Sequence, residues 1–323
     1  MQPNKNNFCG GNFQDWLEVN LTDKCNGKCL WCIEKNGYHP IERAKWRVIA
    51  EQALKSGKTN IILLGGEPTL YKDISKIICV LNSAHRKVWV TTNGGLLSPD
   101  YVINTLTGIT GINISIHDSD LERNRTITGV SINGLKDVIT ALHEIGADVR
   151  LNCNCILGHV DSAKTIEQYI IFAKSVGADK IRFAELKQDE EKFVDLAKVL
   201  NYKYGLNDDP FTFGCHSDAV INEMPVNFRQ MCGLQTPRRP KPKEPELYAK
   251  QVLYYDGKFY DGWQTVQQKR EVKEMTNKEL KKLLQDVADG KITPQEAAIQ
   301  IQQEQKEQKK QATTSETPSD CRY

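Results

Sequence analysis

The chain of 323 residues contains no run of about eighteen apolar residues, the length a helix needs to cross a bilayer. Its start, Met1 to Asn12, is polar and lacks the apolar core of a secretory signal, so the expected location is the cytoplasm. Charge of one sign is also lacking. Lys and Arg number 43 against 41 Asp and Glu, a formal net charge of +2, so no overall field draws the protein to nucleic acid or an anionic membrane. The ten cysteines do not suit a disulfide scaffold, which is normally shorter, secreted and rich in loops. Metal binding, catalysis or burial are left. The cysteines are also unevenly spread, with three crowded between Cys25 and Cys32.

From Trp16 to about Gly205, β-rich runs alternate with helical ones. Strands are expected at Leu17–Thr22, Asn60–Leu64, Lys87–Thr92, Gly111–His117, Asp148–Ile156 and Lys180–Glu185, and helices at Arg43–Lys55, Ile74–Ser83, Gly134–Ile145 and Ala163–Val176. Repeated β-then-α units imply parallel strands with right-handed crossovers. Six units in this length fall short of an eight-fold barrel, which takes about 250 residues. The expected fold is therefore α/β, a partial (β/α)6 TIM-like barrel, with a flat doubly wound sheet as the alternative. Strand parity adds a functional hint. Glu18, Asn20 and Thr22 share one face of the first strand; Asn113, Ser115 and His117 share one face of the fourth, and Arg150, Asn152 and Asn154 one face of the fifth. Parallel strands covered by helices usually read apolar on both faces, so a polar face suggests a lumen that holds a polar ligand.

Beyond Gly205 the pattern changes. Residues 206–235 read as irregular and contain Cys215, His216 and Cys232. A proline-rich, basic stretch with Pro237, Arg238, Arg239, Pro240, Lys241, Pro242 and Lys243 reads as an extended connector. Val252–Tyr255 and Lys258–Trp263 flank Asp256-Gly257, a hairpin with a two-residue turn. A small helical hairpin is expected over 276–306, followed by a polar tail. The expected organisation is an N-terminal arm (1–15), the barrel (16–205), an extension with linker and β-hairpin (206–268), the helical hairpin (269–306) and a disordered tail (307–323).

Two motifs carry chemistry. Cys25-Asn-Gly-Lys-Cys29-Leu-Trp-Cys32 follows the first strand directly. Thiolates at such spacing can converge on one soft metal centre. Structural zinc wants four closed ligands, whereas three cysteines on one loop suit a four-iron cluster with one iron left open. The second strand runs into Gly65-Gly66-Glu67-Pro68-Thr69, where glycines permit close backbone approach to a ligand and carbonyls and Glu67 can accept from an ammonium group.

A CxxxCxxC loop after the first strand and a GGEP loop after the second resemble the radical S-adenosylmethionine superfamily. The likeness runs from about Leu17 to Glu185, includes Arg125, Thr128 and Gly129, and is nearest the branch of the molybdenum-cofactor biosynthesis enzyme and the peptide-modifying maturases. It implies that Cys25, Cys29 and Cys32 hold one 4Fe-4S cluster and that S-adenosyl-L-methionine takes the open iron. It further implies that Trp31 lies near the adenine and that Gly65, Gly66, Glu67 and Pro68 meet the methionine ammonium. Thr91, Asn93, Ser115 and Asn152 match further cofactor positions. The implied chemistry is reductive cleavage to a 5′-deoxyadenosyl radical, fed by an external one-electron reductant such as flavodoxin or ferredoxin.

The chain departs from that branch after the barrel. Cys215, Cys232 and Cys321 are widely separated, unlike the branch's closely spaced C-terminal cysteines, so a single cluster is expected, with Cys215 and Cys232 the candidates for any second. Cys79, Cys153 and Cys155 read as buried core residues. His117 ends the fourth strand facing inward, either toward a substrate or in a strand-end hydrogen bond. His39, His85, His143, His159 and His216 show no ligand spacing. Two substrate classes follow: a peptide or protein, favoured by the C-terminal extension, or a nucleoside-type small molecule. A non-catalytic iron–sulfur or zinc interaction module is a reading of a different class.

Overall fold

The computed structural model describes residues 15–29, 31–32, 34–36, 39–186, 191–204, 216–229 and 251–261. Cys9, Cys215, Cys232, Cys321, the proline-rich basic stretch, the helical hairpin expected over 276–306 and the tail lie outside the described residues.

Six parallel strands, β1 (Trp16–Asn20), β2 (Asn60–Leu64), β3 (Lys87–Thr92), β4 (Gly111–Ser115), β5 (Asp148–Cys155) and β6 (Lys180–Glu185), lie side by side in chain order. A doubly wound sheet reverses its strand order part-way; this one does not. It continues through β8 (Met224–Arg229) to the edge strand β7 (His216–Ile221), and on the other side through β9 (Gln251–Leu253) to the edge strand β10 (Phe259–Asp261). The result is an open, partial TIM-like barrel.

Register places Leu17 beside Ile61, Ile61 beside Val88, Val90 beside Ile112, Ile112 beside Val149 and Leu151 beside Ile181. These side chains form the buried layer between sheet and helices. Against them pack α1 (Trp46–Lys55), α2 (Ile74–Ser83), the short α3 (Pro99–Tyr101) running into a π turn at Val102–Leu106, α4 (Leu121–Thr128), α5 (Leu135–Glu144), α6 (Ala163–Val176) and α7 (Leu196–Tyr204). Sequence spacing makes the stripes: Leu135, Val138, Ile139 and Leu142 bury one face of α5, and Ile74, Ile77, Ile78 and Leu81 one face of α2. Among the described residues no helix is long and apolar enough to cross a membrane.

Several expectations are corrected. Residues 216–229, read as irregular, form a β-hairpin in which Ile221 pairs with Met224 across Asn222-Glu223. Both turn residues have positive φ, 51° and 65°, the geometry of a two-residue hairpin turn, and the absence of Gly at 223 hid it. The 251–261 hairpin has a longer turn than the two residues expected. Tyr254 N–H donates to the Lys258 carbonyl and Gly257 N–H to the Tyr254 carbonyl, with Gly257 left-handed at φ 79°, a turn followed by a bulge. This hairpin is also a sheet member, since β9 pairs in parallel with β1. Helix α1 starts at Trp46, later than Arg43, because Arg43 forks onto both Asp23 oxygens at 2.8 Å and Ala44 N–H donates to the Tyr255 carbonyl. Cys79 is exposed, as it falls off the stripe of Ile74, Ile77, Ile78 and Leu81; Cys153 and Cys155 are buried as expected.

Candidate cofactor and active site

All the loops that carry motifs leave the carboxyl ends of strands, the end at which α/β barrels build sites. After β1, Asn20 Oδ1 accepts from Thr22 N–H and Thr22 Oγ1 from Lys24 N–H, turning the chain sharply into the cysteine loop. That loop is then tied from two sides. Lys28 N–H donates to the Thr128 carbonyl at the end of α4 (2.6 Å), and Asn93 Nδ2 at the end of β3 donates to Asn26 Oδ1 (2.7 Å).

The Gly65-Gly66 pair serves the chain's own packing. A Cβ on Gly65 would lie 2.5 Å from the Thr22 carbonyl oxygen and 2.8 Å from Asn20 Oδ1, and one on Gly66 would lie 2.7 Å from the Lys24 carbonyl carbon. The two loops are joined by Gly66 N–H to the Thr22 carbonyl (2.6 Å) and Glu67 N–H to the Lys24 carbonyl (2.8 Å). Glu67 is likewise committed internally. Its Oε1 accepts from Thr69 N–H, Thr69 Oγ1 and Thr92 Oγ1, and its Oε2 from Asn93 N–H at 2.7 Å. Burial raises its pKa, against the pull of these donors. A ligand ammonium would therefore meet chiefly the backbone here. Pro68 begins a short 3-10 turn, Pro68–Leu70.

Cys25, Cys29, Cys32, Trp31, Gly65, Gly66, Glu67, Thr91, Asn93, Ser115 and Asn152 all line one cavity of about 170 Å³; of the metal and cofactor residues that the resemblance implied only Pro68 is not on its wall, and Asn20 and Thr22, on the polar face of the first strand, are not on it either. A wider depression of about 660 Å³ between α6 and α7 holds none of them. Burial pushes the Cys29 thiol up to about 11, with the neighbouring Cys32 and Cys25 adding to the rise; Cys25 is raised by burial as well. A thiolate is the form that binds metal, so a cationic centre at this wall would favour ionisation of Cys25 and Cys29, whose thiols are raised. Among the described residues no three His, Cys, Asp or Glu side chains are grouped to hold a single metal ion. By the chemistry of its donors, three thiols on the wall of one cavity, the set fits an iron–sulfur cluster.

The same wall carries Glu18, Asn113, Arg150, Asn154 and Arg182. Asn113 Nδ2 donates to Thr91 Oγ1 (2.9 Å), while its buried Oδ1 has no protein partner. Arg150 Nε donates to Asn152 Oδ1 (3.0 Å), and its guanidinium lies 5.9 Å from the centre of the Trp89 ring. Burial, together with the charge of Arg229, lowers its pKa to about 10. Arg182 Nε donates to Asn227 Oδ1 (2.9 Å). Neither Arg182 nor Glu34, also on the wall, belongs to a motif. Arg182 was nonetheless legible by parity, since it pairs with Asn152 across the β5–β6 ladder.

Trp31 is buried against Ile156 and Leu186, and its ring meets His117 edge-on at 5.2 Å. His159, without ligand spacing, pairs with Asp118 at 2.7 Å, and Arg123 joins the same carboxylate at 2.9 Å. His143 pairs with Asp179.

Residues 19–173 match the sequence model described as "Radical SAM superfamily", and that part of the chain belongs to the superfamily. A GTP 3′,8-cyclase of Haemophilus influenzae (strain PittGG) is 31% identical over 188 residues, covering 54% of this chain and 54% of the relative. That of Aquifex aeolicus (strain VF5) is 26% identical over 252 residues, covering 75% and 71%. The chain thus spans about half the length of the first of these. Among solved structures, Streptococcus suis SuiB bound to S-adenosylmethionine superposes with a TM-score of 0.55 at 20% identity, over 77% of this chain and 60% of that one. The likeness to SuiB is one of fold.

Proposed function

We propose that the chain is a radical S-adenosylmethionine enzyme acting on an anionic small molecule of nucleotide type. The observation that carries this is one cavity with three thiols at its rim and two arginines, Arg150 and Arg182, in its wall. When bound, a 4Fe-4S cluster with S-adenosylmethionine supplies one-electron cleavage to a 5′-deoxyadenosyl radical, the electron coming from an external reductant such as flavodoxin or ferredoxin. Cys25, Cys29 and Cys32 would hold that cluster. The Gly65–Glu67 backbone and Asn93 orient the cofactor's methionyl end, Trp31 flanks its adenine, and Thr91, Ser115 and Asn152 line its path. Glu67 acts by bracing the loops. The buried layers around the cavity keep bulk water from the reacting centre.

The substrate end follows from charge. A guanidinium made less basic by burial gains most from an anionic partner, and its fork suits phosphate or carboxylate. This favours the nucleotide reading over the peptide one, in keeping with relatives whose name specifies GTP. The peptide reading rests on the C-terminal extension, most of which lies outside the described residues.

The test is anaerobic reconstitution with iron and sulfide, then reduction with S-adenosylmethionine present. About four irons per chain and release of 5′-deoxyadenosine are expected; exchanging Cys25, Cys29 or Cys32 for Ala abolishes both. Loaded protein that yields no 5′-deoxyadenosine would sink the enzymatic reading. For the substrate, deuterium transfer into 5′-deoxyadenosine from labelled nucleoside triphosphates and from labelled peptides separates the two classes, and Arg150→Ala or Arg182→Ala raises KM for the anionic one. Transfer from peptide alone refutes the nucleotide assignment.

A further inference from the structure

His117 is fixed at its backbone and at two sides of its ring. Its backbone N–H donates to Asn124 Oδ1 (2.8 Å), its Nδ1 accepts from Asn154 N–H (3.0 Å), and its edge meets the Trp31 ring at an interplanar angle of 88°. A backbone N–H can donate only to an unprotonated nitrogen, so Nδ1 bears no proton. Burial holds the ring neutral, with a pKa lowered to about 4, and the nearby His159 acts in the same direction. A neutral imidazole bare at Nδ1 carries its proton on Nε2. His117 lines the cavity, and its Nε2 has no hydrogen-bond partner among the described residues. Nor is Nε2 among the buried atoms left without one, so it reaches open space.

We propose that His117 is a positioning residue whose Nε2–H, aimed into the cavity beside Trp31, donates a hydrogen bond to an acceptor atom of the adenosyl group of S-adenosylmethionine. The donor is neutral, so it recognises a heterocyclic nitrogen or a ribose oxygen without drawing a competing anion into the cofactor's place. Nothing in the cysteine or glycine motifs announces it. The assignment rests on the cofactor reading given above, because it is that reading which seats an adenosyl group against Trp31.

Two isosteres separate this role from a structural one. An Asn side chain can keep an acceptor where Nδ1 stands but does not reach the Nε2 position; a Gln side chain places an amide donor near Nε2 and forfeits the acceptor. Binding of S-adenosylhomocysteine to the reconstituted protein is measured by calorimetry. His117→Asn is expected to weaken it roughly 3- to 10-fold, the worth of one net hydrogen bond, while His117→Gln stays within about twofold of wild type by retaining that bond. A purely structural role predicts the reverse order. Long-range nitrogen–proton NMR on the cluster-free protein gives an independent readout, expected to show Nε2 protonated. Three outcomes overturn the proposal: equal affinity in all three proteins, the reversed order, or a proton on Nδ1. If wild-type protein loaded with iron does not bind S-adenosylhomocysteine at all, the cofactor reading itself has failed, and the NMR tautomer still reports on the geometry.

Discussion

The contact between the cysteine loop and the Gly65-Gly66 loop makes a sharp quantitative expectation for Gly66→Ala. The added methyl would lie 2.7 Å from the Lys24 carbonyl carbon and 2.9 Å from that of Asp23. These are backbone atoms, which cannot swing aside as a side chain can. Restoring ordinary van der Waals contact requires the loops to part by about 0.7 Å, near the lower limit of a relaxed C···C approach. Their two joining bonds, 2.6 and 2.8 Å long, would then stretch to about 3.3 and 3.5 Å, beyond good N–H···O geometry. Losing most of two hydrogen bonds costs about 1–3 kcal/mol, in line with overpacking penalties of about 1–3 kcal/mol. We therefore expect Gly66→Ala to lose about 1–3 kcal/mol, read as a shift in urea midpoint at constant slope. Iron content after reconstitution should fall with it, because the thiols ride on the displaced loop. A variant within about 0.5 kcal/mol of wild type that still takes up its full iron would show that the loops are not in limiting contact.

Two further outcomes follow from buried groups. Glu67→Gln replaces one acceptor oxygen by an amide donor. With Oε1 already accepting from three groups, Thr69 N–H among them, and Oε2 facing Asn93 N–H, either orientation opposes donor to donor, and a loss of about 1–3 kcal/mol is expected; an unchanged thermal midpoint would refute the bracing role. Acid should destabilise the fold through His117, whose folded pKa of about 4 lies below the ordinary 6.5. Between those values the unfolded chain takes up a proton that the fold excludes, so stability is full above pH 6.5 and declines toward pH 4, by about 3 kcal/mol in all. Burial alone would raise the Asp118 carboxyl, but the Asp120 N–H, His159 and Arg123 outweigh it and hold it low. That adds a further loss as pH falls through and below 3.8. Urea midpoints from pH 7 to 4.5 on cluster-free wild type and His117→Phe check this, and an equal slope in both proteins would rule out His117 as the source.

Much of the site was written locally. Cys25, Cys29 and Cys32 sit within one loop, and Gly65 to Glu67 within another, so their spacing in the chain is already their chemistry. The six parallel strands were legible for a similar reason: apolar residues at period two bury against helices with apolar residues at period 3.6. Three of the six strands, with helices Ile74–Ser83 and Ala163–Val176, fall residue for residue where the pattern put them, and the other three end one or two residues earlier than expected. Alternation even announced the polar lumen through Asn113, Ser115, Arg150 and Asn152.

Tertiary structure decided what depends on partners distant in the chain. Glycine at 65 and 66 could be read as room for a ligand; only the fold shows Thr22 and Lys24 occupying that room. Glu67 could be read as an ammonium acceptor, until Thr92 and Asn93 arrive from the next strand to claim its oxygens. The tautomer of His117 is set by Asn154, on a neighbouring strand, and no local pattern encodes which ring nitrogen a remote amide will reach. Motif spacing thus placed the candidate thiols on one short loop and the candidate glycines on another. The directions in which the remaining polar groups point were settled only when the sheet brought their hydrogen-bond partners together.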